Sequence, residues 1–93
     1  MGGVAAARAR DSLNALFGRI DELSGTMLRN AALDIYNTQG ISTNDKAYAA
    51  YLVATGWAKE DDRDKTCTWA RSAENLNPSS RAYTALRQST CGS

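Results

Sequence analysis

Histidine is absent from this 93-residue chain, and proline occurs once, at Pro78. Without histidine no Ser–His or Cys–His nucleophile pair can be built. The two cysteines, Cys67 and Cys91, are too few to close a tetrahedral zinc shell, and their spacing is not that of a C-x-x-C redox pair. No glycine-rich phosphate loop is present. The adjacent Asp21 and Glu22 point in different directions on a helix and make a poor acid–base pair. An excess of charge is also missing: eleven basic and ten acidic side chains leave a net charge of +1. Nucleic-acid readers carry a basic stripe, whereas here Asp11 and Asp21 interrupt Arg8, Arg10 and Arg19. No apolar run approaches the roughly eighteen residues of a membrane span. Val4-Ala5-Ala6-Ala7 is too short for a signal-peptide core and is broken off by Arg8 and Arg10. Together these shortages argue against an enzyme, a cofactor, a metal site, a nucleic-acid partner and membrane insertion in this chain.

Apolar residues make up 43% of the sequence, enough for one modest core in a single domain spanning residues 1–93. Strand signals are missing, since β-branched residues are sparse and alternating patterns absent. Helical spacing dominates instead. Leu13, Leu16, Phe17 and Ile20 predict a first helix over 4–23, with Ser24-Gly25 as its break. Met27, Leu28, Ala31, Ala32, Ile35 and Tyr36 predict a second over 26–37, with Gly40 as a left-handed stop. One long kinked helix over 4–37 remains the alternative. The N-cap cluster Ser42-Thr43-Asn44-Asp45 introduces a third helix over 45–60, carrying Ala47, Ala50, Tyr51, Val53, Ala54 and Trp57. A fourth over 64–76 and a fifth over 80–90 follow, separated by Asn77-Pro78-Ser79-Ser80. The acidic run Glu60-Asp61-Asp62-Arg63-Asp64 lacks the spacing and glycine of an EF-hand. It reads as a polar turn whose acids favour the next helix N-terminus. The expected fold class is all-α: about five helices in antiparallel hairpins.

One segment echoes another. Lys46-Ala47-Tyr48-Ala49-Ala50 is matched by Arg81-Ala82-Tyr83-Thr84-Ala85, thirty-five residues later. Between them Val53, Ala54, Trp57, Ala73, Leu76 and Pro78 stand at the spacings of one tetratricopeptide repeat, a helix–turn–helix unit with a period near 34 residues. The chain resembles that family over residues 47–78, about a third of its length. It departs from the pattern at Ala50, where the family has a tryptophan, and at Thr66, where a small residue opens the second helix. Ala70 stands at a large aromatic position, with Trp69 one residue earlier. The resemblance implies a right-handed stack: N-terminal helices over 4–37, a repeat hairpin over 45–76 and a capping helix over 80–90. It puts Trp57 in the core between the third and fourth helices, and it has the proline start the following helix.

If the fourth and fifth helices are antiparallel, Cys67 opens one and Cys91 closes the other. Their arms to the turn at 77–80 are nearly equal, so a disulfide is expected. A bond of this kind implies an oxidising compartment, periplasmic or outside the cell. Two separate thiols are the alternative.

On the third helix Tyr48, Tyr51, Thr55 and Lys59 are spaced three, four and four and share one face. The resemblance makes them the contacts for a peptide in a concave groove. The competing expectation packs both tyrosines against residues 4–37 as core. The function expected is therefore a non-catalytic module with a protein or peptide partner. A terminal cap of a longer repeat array and a small secreted helical effector are the alternatives.

Overall fold

A computed structural model describes the backbone of residues 3–92 and the side chains of residues 5–92. The outermost positions of the expected 1–93 domain therefore lie outside the described residues. Among these, every regular element is helical: α1 (Gly3–Ala7), α2 (Ala9–Gly18), α3 (Gly25–Tyr36), α4 (Thr43–Lys59), α5 (Arg63–Leu76) and α6 (Arg81–Cys91). Consecutive helices from α2 onward pack on one another, and α2 also reaches α4.

The helix starts follow from side-chain caps. Ser24, Ser42, Asp62 and Ser80 each accept a hydrogen bond from the backbone N–H three residues on, at 3.1, 3.1, 3.0 and 3.4 Å. These bonds satisfy amides that a helix N-terminus leaves without partners. The stops are equally local. After α4 the Asp62 N–H bonds to the Trp57 carbonyl and the Asp61 N–H to the Ala58 carbonyl, both at 3.1 Å. This is the Schellman pairing, with Asp61 at φ 58° where glycine is usual. Gly40 is left-handed as expected, at φ 84°, although α3 has already ended at Tyr36.

Residues 4–37 form neither one long helix nor one unbroken first helix over 4–23. Arg8 interrupts the start, and α2 ends at Gly18, well before Ser24-Gly25. A glycine there weakens helix propagation by about 1 kcal/mol. Residues 19–23 then wind through short turns, with Glu22 and Leu23 both bonding to the Arg19 carbonyl. Pro78 does not begin a helix either. It sits in the turn before Ser80, and Asn77 ahead of it is driven to φ −145°.

Helix α4 lies at the centre, so its apolar positions run round the cylinder. Ala47, Ala49, Ala50, Leu52, Val53 and Ala54 are all buried. Leu13 of α2, Ala32 of α3 and Ala49, Leu52 and Val53 of α4 form the core cluster. Small residues set the spacing. Gly25 and Gly56 face each other where α3 crosses α4, and a Cβ on Gly56 would lie 2.7 Å from the Arg29 Cβ and 2.8 Å from the Gly25 carbonyl. Ala50, Thr66 and Ala70, the positions that depart from the repeat pattern, are all buried, so the neighbouring backbones come close there too. The Thr66 hydroxyl is satisfied by the Asp62 carbonyl at 2.7 Å.

Trp57 is not the buried wedge between α4 and α5 that its spacing suggested. It is half-buried, with Arg29 of α3 at 3.9 Å and Lys65 of α5 at 4.7 Å from its ring centroid. These are cation–π distances, so the ring draws cationic side chains from α3 and α5 onto itself. Trp69 sits edge-on to Tyr36 at 5.1 Å and ties α5 to α3.

Cys67 and Cys91 are joined by a disulfide, with a Cα separation of 4.9 Å. The bond fastens the end of α6 to the start of α5, as the matched arms required.

Candidate functional site

Successive turns of α4 carry Tyr48, Tyr51, Thr55 and Lys59, and helical spacing brings them to one face. Both α2 and α6 reach that face. The Tyr48 hydroxyl donates to the Asn14 Oδ1 at 3.1 Å, and its ring meets Phe17 edge-on at 6.4 Å. The Arg10 guanidinium lies 5.2 Å from the Tyr48 ring centroid, and its Nε donates to the Asp45 carboxylate at 2.6 Å. Tyr51 leans instead on Tyr83 of α6, with ring centroids 5.1 Å apart.

Both α4 tyrosines are half-buried, which lies between the two expectations. Part of the ring surface is used within the chain and part stays open. Thr55 and Lys59 are less available than their spacing implied. The Thr55 hydroxyl donates back to the Tyr51 carbonyl at 2.9 Å, so it offers a partner only an acceptor. The Lys59 ammonium donates to the Ile20 carbonyl at 2.8 Å and closes the turn after α2.

Two further aromatics belong to the face. Phe17, read from sequence as part of a core stripe, is 49% exposed beside Tyr48. Tyr83 is half-buried against Tyr51. A signal for Phe17 is its separation of 34 residues from Tyr51, equal to that of Asn14 from Tyr48. Burial raises the Tyr48 and Tyr83 hydroxyls above their ordinary pKa of 10, while Arg10 pulls both the other way. Both are therefore neutral near pH 7, and each presents an apolar ring with a hydrogen-bonding tip.

The remaining polar clusters are occupied internally. Glu60 pairs with Arg29 and accepts from the Thr26 hydroxyl at 2.8 Å, and Asp62 caps α5. An open concavity of about 340 Å³ is lined by Ala58, Asp61, Arg63, Thr66, Ser89 and Thr90. The Arg63 guanidinium is already spent on the Thr90 and Ser89 carbonyls, at 3.1 and 3.0 Å. Among the described residues no three cysteine or carboxylate side chains lie close enough to hold a metal ion, and no helix is long and apolar enough to cross a membrane. No protein-family model, no curated protein and no solved structure matches the chain.

Proposed function

We propose that the chain is a non-catalytic protein–protein interaction module of tetratricopeptide-like type, which holds an extended segment of a partner protein across the α2–α4–α6 face. The observation that carries this reading is the partly open aromatic row of Phe17, Tyr48, Tyr51 and Tyr83, drawn from three different helices. Rings held by neighbours lose little freedom on binding, and their hydroxyls can meet peptide groups. The repeat-like part is supported by side-chain hydrogen bonds spanning one period. Asn14 and Tyr48 are 34 residues apart, Thr26 and Glu60 also 34, and Arg10 and Asp45 35. An oxidising, extracytoplasmic setting is supported by the disulfide alone.

Peptides selected from a random display library on the oxidised domain provide the probe. Tyr51→Ala is expected to weaken the selected peptide at least about tenfold, as truncating a central aromatic anchor does. Met27→Ala, at an exposed position on α3, is expected to leave its affinity unchanged. Equal affinity for Tyr51→Ala and the natural chain would sink the assignment of this face. The reading as a terminal cap is favoured by one observation, that α6 buries no residue and presents a polar outer surface. A cap yields no selected peptide.

A further inference from the structure

We infer that α6 is a strap with a redox latch: reducing Cys67–Cys91 frees it to swing out on the turn at Asn77–Ser80 while α2–α5 remain folded. The inference stands whether or not the aromatic face takes a peptide.

The first observation is that α6 places no fully buried residue in the core. None of its residues is buried, and the core cluster is drawn from α2, α3 and α4. Removing α6 therefore opens no cavity among Leu13, Ala32, Ala49, Leu52 and Val53. The second is what keeps α6 in place. Its start is tied by the Asn77–Ser80 turn, and its end by the disulfide. Between those two points α6 packs along α5 through side chains that stay partly open to water, with Arg87 to Glu74 at 2.8 Å, and Tyr83 leans on Tyr51 at 5.1 Å. At the latched end Arg63 bonds to the Ser89 and Thr90 carbonyls. Surface polar pairs of this kind hold a helix weakly. The third is access. Cys67 and Cys91 are both half-buried, so neither lies sealed inside the core.

A small or protein dithiol is the reductant. One thiolate attacks a cysteine Sγ, the S–S bond breaks, and the other cysteine leaves as a thiolate. The second thiol of the reagent then attacks the mixed disulfide and releases the remaining cysteine. Two electrons pass to the protein, which ends with two thiols, and the reagent ends as a disulfide. Opening the latch uncovers the Tyr51 ring face that Tyr83 now leans on.

Hydrogen exchange on the natural chain, oxidised and then reduced with dithiothreitol, tests this. Amides of residues 81–91 are expected to exchange a few hundredfold faster after reduction, roughly the factor that closing a loop of this length supplies in the chain-entropy picture. Amides of α3 and α4 are expected to keep their rates. The variant Cys67→Ser/Cys91→Ser should reproduce the reduced pattern, and the reduced natural chain decides the matter if that variant fails to fold. Equal acceleration across α3 to α6 would overturn the inference by making the bond a staple for the whole fold. Unchanged exchange in 81–91 would overturn it by showing α6 docked without its latch.

Discussion

At the scale of single residues, glycine does two different jobs in this chain. Gly18 ends α2 with no atom outside its own turn of chain within 4 Å of where a Cβ would stand. Gly56 lies inside α4, about one turn before its end, and its missing Cβ is what lets the α3 backbone approach. The two predict opposite responses to alanine. Gly56→Ala gains about 1 kcal/mol of helix propensity, but the added carbon would press on backbone atoms of Gly25 and Arg29. Overpacking of this kind costs about 1–3 kcal/mol. Because the obstacle is backbone, the cost lies at the upper end, and a net loss of about 1–2 kcal/mol is expected in urea unfolding. Gly18→Ala has nothing to strike, and its midpoint should hold or rise. Equal midpoints for Gly56→Ala and the natural chain would mean that α3 and α4 have room to separate.

Elements differ in what secures them. Helix α4 is held by seven buried residues, whereas α6 buries none and is held by its ends and by partly open contacts with α5 and Tyr51. The Arg87 side chain donates to the Glu74 carboxylate and, with a contribution from Thr84, holds its pKa below the ordinary 4.5. A carboxyl depressed in the folded chain binds its proton more readily once unfolded. Its contribution is therefore complete above pH 4.5 and is lost as pH falls from there through the lower folded value. Acidification through that window is expected to raise amide exchange in α6 beyond the change in intrinsic rate. The same comparison in Glu74→Gln should show no such step. The step persisting in Glu74→Gln would place its origin in another carboxylate. Element boundaries were also the most legible level of the sequence. Ser42 and Ser80 could be read as caps because capping needs only a short polar side chain and three following residues, whereas Asp62 read only as one acid of a polar turn. The interruption at Arg8 carries no comparable local signal.

For the whole molecule, the order of hairpins and the disulfide were readable, since both follow from arm lengths and turn residues. What escaped reading depends on how closely helices approach. Gly25 and Gly56 looked like punctuation, yet they mark a crossing. Trp57 stood at a core spacing, yet Arg29 and Lys65 reach it from two other helices. At the candidate site the shared face of Tyr48 and Tyr51 was legible from helical period alone. The tether from Lys59 to Ile20 was not, because it requires knowing where the carbonyl of a distant segment lies, whereas the back-bond of Thr55 to its own helix is a local option open to any helical threonine. The disulfide also alters the connectivity of the molecule. Residues 67–91 form a closed ring, and Arg71, Arg81 and Arg87 all lie within it. A trypsin cut at the exposed Arg81, beside the turn, would add the mass of one water and release no fragment. Such a nick is expected to be invisible on a non-reducing gel and to appear as two pieces once thiol is added. Separation into two pieces before reduction would show that the ring is open in the protein.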